Sequence, residues 1–118
     1  MDFVNNIPER SILINAFIDT GATCSVIDSS ILEEDIEIEP TTYVAKMNFI
    51  NALMQDLPVY KVGLDLLNNG FCRDTLVCVM NMSTYSSEIK MLIGRDILRN
   101  CVFTYSGIDN TFTLNQKY

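Results

Sequence analysis

A chain of 118 residues, 48 % of them hydrophobic, is close to the commonest domain size and can bury a core without staples. Its formal charge of −7 argues against an electrostatic nucleic-acid or membrane-surface binder. The absence of histidine removes Ser-His-Asp chemistry. Cys24, Cys72, Cys78 and Cys101 form no CxxC pair and have no histidine to complete a common zinc set. They read as buried free thiols of a reducing compartment, and no metal or other cofactor is expected. No basic stretch followed by an apolar core opens the chain, and the longest apolar runs are too short to span a bilayer. The expectation is one cytoplasmic domain over 1–118, native or cut from a longer chain, with no nucleic-acid and no membrane partner.

Residues 1–10 carry Asn5-Asn6 and Pro8, a poor strand interior, and read as a short terminal arm. Ser11 to Ile18 alternates, with Ile12, Ile14, Ala16 and Ile18 on one face and Leu13 and Phe17 on the other. Apolar residues on both faces predict a strand buried on both sides. Asp19-Thr20-Gly21 ends it in a turn, and Cys24 to Ile27 resumes as a strand. Ser29 or Ser30 is placed to cap one short helical turn. The acids that follow, Glu33, Glu34, Asp35, Glu37 and Glu39, read as a solvated face rather than a metal site.

Thr41 to Phe49 and Leu57 to Leu66 predict a long hairpin with its tip in 48–56. Asn68-Asn69-Gly70 predicts a tight turn, because Asn and Gly tolerate positive φ. Phe71 to Met80 returns as a strand, buried over Leu76-Val77-Cys78-Val79-Met80. A polar loop follows over 81–90, then a short strand, Met91-Leu92-Ile93, that ends at Gly94. Arg95 to Asn100 predicts a short helix with Ile97 and Leu98 inward. Cys101 to Tyr105 and Thr111 to Leu114 form a last hairpin. Many short strands with closely spaced turns and one short helix predict an all-β fold, sandwich or barrel.

Phe17 to Asp28, FIDTGATCSVID, is where chemistry concentrates. An acid at the end of an apolar strand is costly to bury alone, so it needs a partner or a role. Asp and Gly are also ordinary turn residues, and a plain turn is the simpler reading of Asp19, Thr20 and Gly21 taken by themselves. A second motif, Leu92-Ile93-Gly94-Arg95-Asp96-Ile97-Leu98, lies downstream.

With both motifs in order, at Ile18–Ala22 and Leu92–Gly94, the chain resembles the retropepsin-like aspartic proteases, the single-lobe relatives of the pepsins. The likeness covers most of the chain, and it is most specific in the paired motifs. It implies a closed or partly open β-barrel of the acid-protease type with one short C-terminal helix. It also implies that Asp19 is the catalytic aspartate and that the Thr20 hydroxyl helps tie two active-site loops together. Gly21 then lets the backbone turn tightly, Ala22 leaves room beside the acid, and Gly94 packs behind the loop with no side chain in the way. Arg95 and Asp96 fall at the start of the helix, with structural roles.

That chemistry needs two carboxylates, one ionised to activate water and one protonated to polarise the peptide carbonyl. The chain holds one Asp-Thr-Gly, so the resemblance implies a homodimer that pairs Asp19 with Asp19 across a two-fold axis and cleaves a peptide or protein substrate. Two departures stand out. Residues 41–62, where the family carries a glycine-rich flap hairpin, contain no glycine. Cys24 stands where many viral members have an acid, so no charge partner for Arg95 is evident. A retropepsin-like dimerisation or peptide-binding module without activity is the alternative, favoured by the glycine-free hairpin and opposed by the intact Asp-Thr-Gly.

Overall fold

The structure is a computed structural model and describes residues 2–4, 10–47, 55–66, 71–84 and 86–116. In chain order the strands are β1 (Asp2–Val4), β2 (Asn15–Ile18), β3 (Val26–Asp28), β4 (Ile38–Met47), β5 (Gln55–Asp65), β6 (Phe71–Met80), β7 (Ile89–Ile93), β8 (Cys101–Ser106) and β9 (Thr111–Gln116). A 3₁₀ turn, Ser29–Glu33, follows β3, and helix α1, Arg95–Leu98, follows β7. The fold is all-β, as its alternating pattern predicts. The tip of the β4–β5 hairpin and the Asn-Asn-Gly turn lie outside the described residues.

Seven strands form one sheet, six of them in the order β2-β7-β3-β6-β5-β4 with β1 paired to β6 off that path, and β8 and β9 form a separate two-stranded sheet. β5 pairs with β6 along its length, and on the other edge β6 takes β3 at its C-terminal half and β1 at its N-terminal end. The N-terminal arm therefore contributes a strand that its Asn and Pro content did not suggest. The ends of the sheet order, β2 and β4, do not pair among the described residues, so the sheet is open and a closed barrel is not formed.

Alternation divides the central strands between two cores. Ile27, Val77, Val79, Met91 and Ile93 point to one side, where Ile31 and, from α1, Ile97 and Leu98 cover them. Val26 and Cys78 point to the other side, with Leu57, Val59 and Met82. Each fully buried aliphatic side chain contributes roughly 1.5–3 kcal/mol, so β3, β6 and β7 anchor the molecule from both faces. The strand before Asp19 differs from its prediction. It is shorter, and Leu13 and Phe17 are 83 % and 52 % exposed rather than buried. β2 is an edge strand, and its second apolar face, with Leu13 and Phe17, is not covered by any element among the described residues.

Candidate active site

The Asp19 loop is shaped by an insertion in the sheet. β2 runs parallel to β7, and β3 runs antiparallel to the same strand on its other edge. The chain between β2 and β3 must therefore arch over the C-terminal end of β7. Two motifs far apart in sequence meet there. The Asp19 N–H donates to the Ile93 carbonyl at 2.9 Å, and the Arg95 N–H donates to the Ala22 carbonyl at 2.8 Å. Within the loop, the Ala22 N–H donates to the Asp19 carbonyl at 3.1 Å. The Gly21 N–H donates to Asp19 Oδ1 at 3.0 Å, an Asx turn that orients the carboxylate.

Asp19 is half-buried at this point, and Thr20 and Gly21 are exposed. A β-carbon on Gly21 would stand 3.3 Å from Asp19 Oδ1 and crowd the carboxylate. Gly94 is buried beneath the arch, where a β-carbon would fall 2.7 Å from the Cys24 carbonyl oxygen and 3.0 Å from that of Ala22. Both obstacles are backbone atoms and cannot rotate away. The structure thus brings Asp19, Gly21, Ala22 and Gly94 into one loop cluster. The Thr20 hydroxyl makes no hydrogen bond among the described residues.

Ser25 holds this cluster together, and sequence reasoning did not single it out. It is fully buried. Its N–H donates to Asp96 Oδ2 at 2.9 Å, its hydroxyl donates to Asp96 Oδ1 at 2.6 Å, and the Gly94 N–H donates to its Oγ at 2.9 Å. Asp96 Oδ1 also accepts from the Ile97 N–H at 2.8 Å. One carboxylate therefore ties the end of the Asp19 loop to the start of α1. The available signal was a hydroxyl inside an apolar run, a residue type that needs a partner when buried. Arg95 is exposed and forms no ion pair among the described residues.

A second buried acid has a structural part. Asp28, not Ser29 or Ser30, caps the 3₁₀ turn. It accepts from the hydroxyl and the N–H of Ser30 and, at 2.7 Å, from the Met82 N–H, with Lys90 Nζ at 3.6 Å. The Ser30 hydroxyl and the Met82 N–H stabilise its charge against the cost of burial and hold its pKa at about 2. A side-chain carboxylate already near the strand outcompetes a serine hydroxyl for the cap because its hydrogen bonds are charge-assisted.

A cavity of about 650 Å³ lies on the aliphatic side of the sheet, walled by Ile18, Ile31, Val62, Met91 and Leu114 among others. Asp19 does not line it. Among the described residues no three His, Cys, Asp or Glu side chains converge to hold a metal ion, and no helix is long and apolar enough to cross a membrane. No family model, curated protein or solved structure matches the chain.

Proposed function

We propose that the chain is one half of a retropepsin-like aspartic endopeptidase, active as a homodimer in which two Asp19 carboxylates share a site. The observation that carries this reading is the meeting of the two motifs, with the Asp19 loop hydrogen-bonded to Ile93 and Arg95 and seated on Gly94. A half-buried carboxylate, flanked by exposed Thr20 and Gly21 and held on a hydrogen-bonded arch, suits a group that must face a second copy of itself. One Asp19, ionised, takes a proton from water as it attacks the peptide carbonyl. The other, protonated, donates to the carbonyl oxygen as negative charge develops there. Two close carboxylates cannot both ionise cheaply, so one proton is retained between them, as in the acid pairs of aspartic proteases generally. The open sheet with β7 set between β2 and β3 supports an acid-protease type of fold.

The glycine-free 41–62 segment favours a second reading, a dimerisation or peptide-binding module of the same fold. Asp19→Asn separates the two. It is expected to leave a folded dimer that no longer hydrolyses a peptide library. Full hydrolysis by the variant would sink the aspartic mechanism. A wild-type dimer that binds peptides without cutting them would establish the second reading.

A further inference from the structure

The segment that follows the Asp19 loop carries a thiol into a buried cluster with another thiol. Cys24 is half-buried and packs against the group formed by Val26, Leu57, Val59, Cys78 and Met82. Val26 is in register with Cys78 on the neighbouring strand, and the Cys78 N–H donates to the Ser25 carbonyl at 3.0 Å. The two cysteines therefore belong to one core, Cys78 within it and Cys24 packed against it from two residues before Val26. Both are free thiols. Cys101 is elsewhere, with its thiol donating to the Ile97 carbonyl at 3.6 Å.

We propose that Cys24 and Cys78 are a peroxide-oxidised pair that closes to an intramolecular disulfide and displaces the Asp19 loop. Cys24 reacts first because it is the one solvent reaches. Its sulfur attacks one oxygen of a hydroperoxide, the O–O bond breaks, and Cys24 becomes a sulfenic acid while water or an alcohol leaves. The Cys78 sulfur then attacks the Cys24 sulfur. The S–O bond breaks, the S–S bond forms, and the proton from Cys78 leaves with the hydroxyl as water. Two thiols lose two electrons in total, and one peroxide gains them.

The chemical setting divides the roles. Burial, reinforced by the neighbouring Cys24 sulfur and the Asp96 carboxylate, pushes the Cys78 thiol up to about 11. Cys78 is thus a poor nucleophile toward bulk oxidant and is kept for the resolving step, in which its target is already beside it. The structural consequence follows from Gly94. A disulfide requires a sulfur–sulfur distance near 2.05 Å, shorter than any contact between separate thiols, so closure draws Cys24 toward β6. The Cys24 carbonyl is part of the wall over Gly94, and the Ala22 carbonyl beside it accepts from Arg95. Pulling Cys24 shifts the arch that presents Asp19.

The bond is tested without reference to activity, in a Cys72→Ser/Cys101→Ser variant that leaves only the pair. Treatment with stoichiometric hydrogen peroxide is expected to lower the mass by two hydrogens, to yield one linked peptide containing Cys24 and Cys78, and to reverse fully with a dithiol reductant. Adding Cys24→Ser, a change at a partly exposed position, is expected to abolish the mass change. Both thiols remaining titratable after peroxide, irreversible addition of oxygen to Cys24, or a disulfide between two chains would each overturn the proposal. The effect on catalysis rests on the peptidase reading. If that reading holds, the oxidised protein loses activity by about tenfold or more and regains it on reduction. Unchanged activity in the oxidised protein, with the bond confirmed by mass, would overturn the displacement of the loop and leave the peptidase reading intact.

Discussion

Gly94 and Cys24 meet backbone to backbone, with room for a hydrogen and none for a methyl: the missing β-carbon would lie 2.7 Å from the Cys24 carbonyl oxygen and 2.8 Å from its carbon. Gly94→Ala must therefore push the whole 22–24 arch, not a side chain. The expected cost is about 1–3 kcal/mol of stability, the range for forcing extra volume into a packed site. Urea denaturation of the variant measures it. A midpoint equal to that of the wild type would mean that the arch is free to lift. Any peptidase activity is expected to fall further than stability does, because the displaced arch carries Asp19.

Asp28 makes stability depend on pH in a defined window. Its folded pKa, about 2, lies below the ordinary 3.8. The unfolded chain therefore takes up the proton first as pH falls, so the charge stabilises the fold above about pH 4. That contribution declines as pH drops and is lost through about pH 2. Asp28→Asn is expected to cost about 1.5–3 kcal/mol at neutral pH, the range for hydrogen bonds to a charged group. Denaturant midpoints measured from pH 7 downward are expected to converge for the two proteins near pH 2. A difference that stays constant across the range would assign the effect to packing instead.

Thr75 offers a change in the opposite direction. It is 4 % exposed, and its hydroxyl has no hydrogen-bond partner among the described residues. It sits in β6 beside a bulge, where the register with β5 shifts between Val62 and Leu64 and Asp74 adopts φ 57°. Thr75→Val keeps the shape and removes an unpaired polar group. A gain of about 1 kcal/mol is expected, since burying a hydroxyl without compensation costs about that much or more. Thermal unfolding reads it as a raised midpoint, and a lowered one would show that the hydroxyl is paired in solution.

Dimer dependence distinguishes a shared site from a single-chain one. If two Asp19 residues are needed, specific activity per chain falls as the protein is diluted below its dimer dissociation constant and returns on concentration. Sedimentation of the same samples gives the fraction of dimer. Activity per chain that stays constant in a demonstrably monomeric regime would require a second acid from the same chain.

The local elements were legible where neighbours in sequence decide them. The β8–β9 hairpin, the full extent of β6, and the inward side chains Ile97 and Leu98 of α1 follow from turn residues and alternation within a few positions. The Asp-Thr-Gly turn and the glycine before Arg95 were likewise visible as motifs. The cap of the 3₁₀ turn was misplaced by one residue or two, because Asp28 reads locally as the end of a strand and finds its other partner, Met82, 54 positions away.

What the amino-acid sequence determined by itself was that β3, β6 and β7 are apolar strands, and that an acid stands at the end of a strand; which side chains of β6 face inward was not read from it, and Leu76 is 45 % exposed. Only the tertiary structure decided that β7 enters between β2 and β3, that β2 is an edge with Phe17 exposed, and that Ser25 and Asp96, 71 positions apart, clamp the loop. The physical reason is that periodicity reports which faces are apolar but not what covers them. Hydrogen bonds between distant segments leave no local pattern, and the arch over Gly94 exists only once the parallel pairing of β2 with β7 has brought the two motifs together.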